Sequence, residues 1–149
     1  MKKTNPPTAE ERRKCQHKCR ARCCRYITVQ LPAPKRNADF DEVSWFLAHE
    51  DISIYVEGRR WHLEARNRCK YLTRHSLCAI YESRPDVCRC YDTDACEYPR
   101  RPAHTLHFDT RKEFDAWYAK RRERDRRRRK QRARRSNKLK VTRGTASRN

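Results

Sequence analysis

Apolar residues in this chain fall into short patterned stretches, and the period of each stretch predicts an element. Tyr26-Ile27-Thr28-Val29-Gln30-Leu31 is β-branched and aromatic, which predicts a strand, and Pro32 and Pro34 end it. Between Ala38 and Glu50 the spacing of Phe40, Val43, Phe46 and Leu47 predicts a short amphipathic helix, N-capped by Asn37 or Asp39, with Trp45 flanking the stripe as a packing residue. Ile52 to Val56 and Trp61 to Ala65 read as two strands of a hairpin, joined by Glu57-Gly58-Arg59-Arg60. In the first of these, Ile52, Ile54 and Val56 alternate with Ser53, Tyr55 and Glu57, the pattern of a half-buried strand. Thr110 and Glu113 make a capping box, so a last helix begins at Asp109 or Thr110 and turns Phe114, Trp117 and Tyr118 toward the domain.

At the other end, Thr8-Ala9-Glu10-Glu11 is a second capping box and predicts a helix start. If that helix continues, Cys15, Cys19 and Cys23 lie at i, i+4 and i+8, with neighbouring side chains about 5–6 Å apart along one face. A buried stripe of cysteines, packing as small hydrophobes, is the alternative. The adjacent pair Cys23-Cys24 argues against it, because neighbours in sequence do not share a helical face; the helix must end near the pair. From Cys69 the chain reads as loop, with one helical turn that Ser83 caps and Pro85 enters. The expected fold class is therefore α+β: a small cysteine-rich domain over residues 9–118, with short helices and a β-hairpin. A disordered N-terminus covers 1–8, and a basic C-terminal helix or tail covers 119–149.

Composition limits what such a domain can be. Apolar residues make up 36% of the 149 and charged residues 39%, a balance too lean for a large core, and domains of this kind depend on a metal or on disulfides. With only two glycines, Gly58 and Gly144, there is no glycine-rich phosphate loop and hence no P-loop or Rossmann chemistry. The first residues are basic but no apolar run follows them, so neither a signal peptide nor a membrane span is expected, and the expected location is cytoplasmic. Thiols stay reduced there, and nine cysteines, an odd number, fit a full disulfide set badly. Metal is favoured over disulfide.

The formal charge of +20 is unevenly spread. Residues 119–149 carry 16 Lys/Arg against 2 Asp/Glu, a net of +14, and the rest of the chain 23 against 17, a net of +6. Glu123 with Arg127 and Asp125 with Arg129, both at i,i+4, extend the last helix into solvent; the final fifteen residues read as disordered.

Nine thiols carry the candidate chemistry. Cys15, Cys19, Cys23 and Cys24 form one block; Cys69, Cys78, Cys88, Cys90 and Cys96 form another. Soft thiolates select zinc, iron–sulfur clusters or monovalent copper over magnesium or calcium. Structural zinc commonly takes two short cysteine pairs, and the second block has no such pair, whereas clusters accept wider and less regular spacing. Spacing alone leaves zinc and iron–sulfur both open, as two four-ligand sites or one polynuclear site. His49, His62 and His75 stand alone and read as surface or hydrogen-bonding groups; His17 lies inside the first cysteine run.

Cys23-Cys24-Arg25-Tyr26 resembles the YkgJ-type cysteine-cluster family. So do Asp39-Phe40-Asp41, Trp45-Phe46-Leu47-Ala48-His49-Glu50, Ile54-Tyr55-Val56-Glu57, Trp61, Cys69, Leu72, Cys78, Ile80-Tyr81-Glu82-Ser83-Arg84-Pro85, Cys88-Arg89, Tyr91 and Cys96-Glu97. That family is bacterial, named for a CxxCxxCC motif and described as a zinc- or iron-chelating domain, and the likeness runs over about residues 15–118. It implies Cys19, Cys23, Cys24, Cys69, Cys78, Cys88 and Cys96 as metal ligands. Three residues, where the family has two, separate Cys15 from Cys19, which sets Cys15 apart as an eighth candidate. Relatives tend to have an acidic residue at position 90, which makes Cys90 the spare ninth thiol. Arg84 and Arg89 look like groups whose N–H donors offset anionic thiolates; surface pairing with Glu82 or Asp86 is the alternative.

Three functions are compatible with these features. The first is a metal-chelating protein holding an iron–sulfur cluster or zinc, with iron slightly favoured because irregular spacing and surplus thiols suit a cluster. The second is a nucleic-acid-associated accessory protein, its arm Arg126-Arg127-Arg128-Arg129-Lys130 lying nonspecifically on phosphate beside a structural metal domain. The third is a cluster-dependent redox or methyl-transfer enzyme. A flagellin lysine methylase carries a related cysteine module, yet this chain has no recognisable site for S-adenosylmethionine and no Ser/His/Asp arrangement.

Overall fold

A four-stranded antiparallel sheet carries the domain, in the order β1-β3-β2-β4. The computed structural model describes residues 8–89 and 104–146, so the expectation of disorder over the first residues lies, but for Thr8, outside the described residues. The strands are β1 (Ile27–Leu31), β2 (Ile52–Glu57), β3 (Arg60–Ala65) and β4 (Leu106–Phe108). The helices are α1 (Ala9–Arg13), α2 (Asn37–Phe46), α3 (Asp86–Arg89) and α4 (Arg111–Ala146). The mixed α+β class expected from the hydrophobic pattern is the one observed.

The hairpin forms where alternation and glycine placed it. Gly58 takes the left-handed conformation (φ 61°) that closes a tight turn, and Glu57 pairs with Arg60 in register. Its inner face carries Ile54, Val56 and Trp61, buried with Phe40, Val43, Leu47, Phe108 and Phe114. Ser53, on the opposite face, is also fully buried. The expected alternation of buried and exposed residues therefore fails at that position, and both faces of β2 are covered there. Strand β4 carries no periodic signal in three residues, yet it closes the sheet by pairing Phe108 with Ile54.

Two helices pack on the inner face. Phe114 of α4, with no exposed surface, stacks near Phe40 of α2 (6.5 Å) and meets Phe108 edge-on (5.3 Å); burying one such ring stabilises by about 1.5–3 kcal/mol. Ser44 Oγ donates to Asp115 Oδ1 at 2.9 Å and Tyr118 Oη to Asn37 Oδ1 at 2.8 Å, tying the two helices at both ends of the contact. Helix α4 starts on the expected capping box: Glu113 N donates to Thr110 Oγ1, and the Asp109 and Thr110 amides donate to Glu113 Oε2. Helix α2 differs from expectation. Neither Asn37 nor Asp39 is its N-cap; Arg36 occupies that position, and Asp39 acts from the first turn, accepting the Lys35 and Arg36 amides at 2.9 Å. Those two amides hold the Asp39 carboxyl down at about 2.

Helix α4 runs unbroken through Tyr118 to Ala146. The expectation of disorder over the final fifteen residues meets a backbone that stays helical to Ala146, and residues 147–149 lie outside the described residues. Among the described residues no helix is long and apolar enough to cross a membrane.

Candidate metal centre

Pairing of β1 with β3 brings the two cysteine blocks together. Ile27, at the start of β1, pairs with Ala65, at the end of β3. Cys24 stands three residues before Ile27 and Cys69 four after Ala65, so antiparallel pairing delivers both to one end of the sheet. The Cys69 amide donates to the Cys24 carbonyl at 2.8 Å.

The first block is folded back on itself. Helix α1 gives way at Lys14 to a wide π-type helical turn, Lys14–Cys19, of a kind that recurs at functional sites. Arg20 (φ 53°) and Ala21 (φ 50°) then both take the left-handed conformation, which costs a residue with a side chain about 1–2 kcal/mol. Three contacts hold the reversal: the Ala21 amide donates to the Cys15 carbonyl (3.0 Å), Arg25 Nε donates to the Arg20 carbonyl (2.9 Å), and the Ala21 side chain is buried. Cys23 and Cys24 follow in a tight 3₁₀ turn, Arg22–Cys24. The helix ends short of the adjacent cysteine pair, as that pair requires, so the single face that a continuing helix would give Cys15, Cys19 and Cys23 is not formed. The helix ends at Cys19, and the left-handed pair turns the chain before Cys23-Cys24.

The second block hangs on a small closed loop. Leu72 is buried and bridges to Cys78, the Leu72 amide donates to the Cys69 carbonyl (3.1 Å), and the Ala79 amide to the Tyr71 carbonyl (2.9 Å). Arg68 Nη2 reaches across to the Leu72 carbonyl (2.8 Å) and the Thr73 carbonyl (3.3 Å). Cys88 lies in α3, its amide bonded to the Pro85 carbonyl at 2.9 Å. That short helix begins after Pro85, so the turn is not capped by Ser83, which closes a preceding 3₁₀ turn, Tyr81–Ser83.

The thiols act on one another's protonation. Cys23 holds its proton far more tightly than an ordinary thiol, chiefly because it donates it to Cys24, then through burial and the charges of Cys24, Cys19 and Cys15. Cys24 is correspondingly pulled down to about 6, mainly by that hydrogen bond and further by Arg25 and Arg84, against the opposing effect of burial. Cys88, though exposed as a residue, is pushed up, first by partial desolvation of its thiol and then by Cys24, Cys69 and Cys78, with Arg84 opposing. Two groups of thiols result, Cys15/Cys19/Cys23/Cys24 and Cys24/Cys69/Cys78/Cys88, and Cys24 acts on both.

None of the seven described cysteines is in a disulfide; Cys19 is buried, Cys15, Cys24 and Cys78 half-buried, and Cys23, Cys69 and Cys88 exposed. This soft donor set, with one member a thiolate near neutral pH, fits zinc or an iron–sulfur cluster and not a hard cation. Among the described residues no three His, Cys, Asp or Glu side chains stand close enough to hold a metal ion. Cys96 and Cys90 lie outside those residues. His17 is exposed on the wide turn. Arg84 lies over the Tyr81 ring at 3.9 Å and its charge favours the thiolates of Cys24 and Cys88. Arg89 instead clamps the Arg84 and Glu82 carbonyls at 2.9 Å and pairs loosely with Asp86 at 3.8 Å. Sequence reasoning missed Arg25 and Arg68, which fix the two thiol-bearing turns; only their positions next to Cys24 and Cys69 set them apart from the other arginines.

Comparison with known proteins places this constellation. A family model described as "CxxCxxCC: Putative zinc- or iron-chelating domain" matches residues 14–121, well over half of the chain. No curated protein and no solved structure matches.

Proposed function

Because the chain belongs to the CxxCxxCC family of zinc- or iron-chelating domains, we propose that its two cysteine blocks together chelate one metal centre, an iron–sulfur cluster in preference to zinc. The single observation carrying this reading is the β1–β3 pairing, sealed by the Cys69–Cys24 hydrogen bond at 2.8 Å. It brings the backbones of the two cysteine blocks, distant in sequence, to one end of the sheet. Cys19, Cys23, Cys24, Cys69, Cys78, Cys88 and Cys96 would hold the metal, with Cys15 at the margin of the first group. Arg84 offsets the accumulated negative charge from the side.

Irregular spacing and surplus thiols favour iron over an isolated tetrahedral zinc. A cluster held here would brace a domain with a small core, or carry an electron. A reducing compartment keeps such thiols available, and we place the protein in the cytoplasm. Anaerobic purification with visible absorbance and assays of iron, sulfide and zinc tests the proposal. A brown protein with matching iron and sulfide supports it. A colourless zinc protein overturns the preference for iron, and a folded, metal-free protein overturns chelation.

A second reading concerns α4, as a polyanion-binding arm separate from the metal centre. It is favoured by one observation: past the core contacts of Trp117 and Tyr118 the helix continues, and from Arg126 to Arg135 its residues are all exposed and eight of the ten are Arg or Lys.

A further inference from the structure

Resting on that reading of α4 as a polyanion arm, we propose that the arm is shaped for the major groove of B-form duplex DNA. Its two acidic residues are already engaged: Glu123 pairs with Arg126 (2.7 Å) and Arg127 (2.8 Å), and Asp125 lies 3.9 Å from Arg121. After Asp125 the sequence contains no further carboxylate side chain. From 126 to 135, eight of ten residues are Arg or Lys, and all ten are exposed.

At about 100° per residue those eight side chains point to every side of the helix, leaving no empty sector wider than about 80°. A flat surface meets only one side of such a rod. A membrane interface, moreover, requires an apolar face, and between 119 and 136 the only apolar residues are Ala119 and Ala133. A groove with a phosphate strand along each wall meets charge on both sides at once. Setting aside Arg126 and Arg127, which pair with Glu123, six charges over about 15 Å give one per ~2.5 Å, of the same order as the ~1.7 Å spacing of phosphate charge along B-DNA. A helix about 10–12 Å across fits a major groove about 12 Å wide, whereas the major groove of A-form RNA is deep and narrow.

The base of the rod is fixed. Phe114 and Trp117 pack on the core, and Arg121 lies over the Phe40 ring at 5.0 Å and over Trp117 at 5.4 Å. Along the rod, like charges at i,i+4 oppose the helix, so phosphate that neutralises them favours it. Arginines committed to phosphate bind without regard to base sequence.

The test uses the full-length protein and fluorescence anisotropy with a labelled DNA duplex, an RNA duplex of the same base sequence, and vesicles containing phosphatidylserine. The variant Gln131→Pro leaves every charge in place and breaks the rod. Expected are a log–log salt slope for DNA of about −5 or steeper, and a DNA affinity at least about tenfold above that for RNA. Gln131→Pro is expected to weaken DNA binding by on the order of tenfold and RNA binding by less than about twofold. Equal or tighter binding of RNA, tighter binding of vesicles, or a Gln131→Pro protein that binds DNA unchanged overturns the groove while the polyanion arm stands. Failure to bind all three probes at low salt overturns the arm, and the groove with it.

Discussion

The amide of Cys69 donates to the carbonyl of Cys24 at 2.8 Å, across a gap of more than forty residues in sequence. Everything between them is the machinery that makes this contact: one strand, one helix and a hairpin that returns the chain beside its starting point. Cys24 is also the thiol whose charge reaches both groups.

Replacing Cys24 should therefore cost more metal than replacing Cys15. Loss of a group that only orients a ligand lowers affinity about 10–100-fold, so loss of a shared ligand should do at least as much. Metal analysis of Cys24→Ser and Cys15→Ser checks the order: near-complete loss is expected in the first, and retention of most of the metal in the second. Equal retention would remove Cys24 from its shared position.

In the metal-free protein the pair titrates in a recognisable way. Cys24, lowered to about 6 from 9.0, favours folding above the unfolded value, and this contribution is lost as pH falls toward 6. Cys23, raised from 9.0, acts oppositely: its contribution is present below 9 and declines above it. Together they make the pair's stabilisation greatest near pH 9. Alkylation of Cys24, followed by peptide mapping across pH, should show a midpoint of about 6. Arg84→Gln should move that midpoint upward.

Arg68 holds two carbonyls of the loop between Cys69 and Cys78. Arg68→Ala should destabilise the metal-free protein by about 1.5–3 kcal/mol, since hydrogen bonds to charged groups contribute about that much. It should also lower metal affinity about tenfold. Urea unfolding and metal competition measure the two effects separately.

Core and surface aromatics should part clearly. Phe114→Ala removes a fully buried ring and should cost about 3–5 kcal/mol. Trp45, 58% exposed, should cost less than about 0.5 kcal/mol as Trp45→Ala. Chemical denaturation of both variants decides it.

Metal domain and arm should be separable. Deleting residues 126–149 removes none of the core or thiol residues described above. Metal content and unfolding midpoint are expected to stay unchanged while polyanion affinity falls; loss of metal on truncation would sink the two-part view.

Much of this was legible in the residues. Gly58 between two alternating strands, and Thr110 three residues before Glu113, announce a turn and a helix start because each satisfies a local backbone demand. The buried set around Phe40, Val43 and Phe114 follows from helical spacing. Other features depend on distant partners and leave no local trace. Leu106-His107-Phe108 is a strand only because Val56 and Ile54 stand beside it. Arg20 and Ala21 adopt a conformation that glycine or asparagine would signal, and here tertiary contacts hold it instead. Asp39 was read as a possible cap, yet it works from inside the first turn, since its carboxylate must reach back to the Lys35 and Arg36 amides.

X-ray absorption at the metal edge of the anaerobically purified, full-length protein tests most directly whether the two cysteine blocks close on one metal. The expected result is a first shell composed of sulfur at about 2.3 Å, the distance of a thiolate ligand. A first shell dominated by nitrogen or oxygen would contradict it, because the metal would then be held by groups other than the thiols that β1 and β3 bring together.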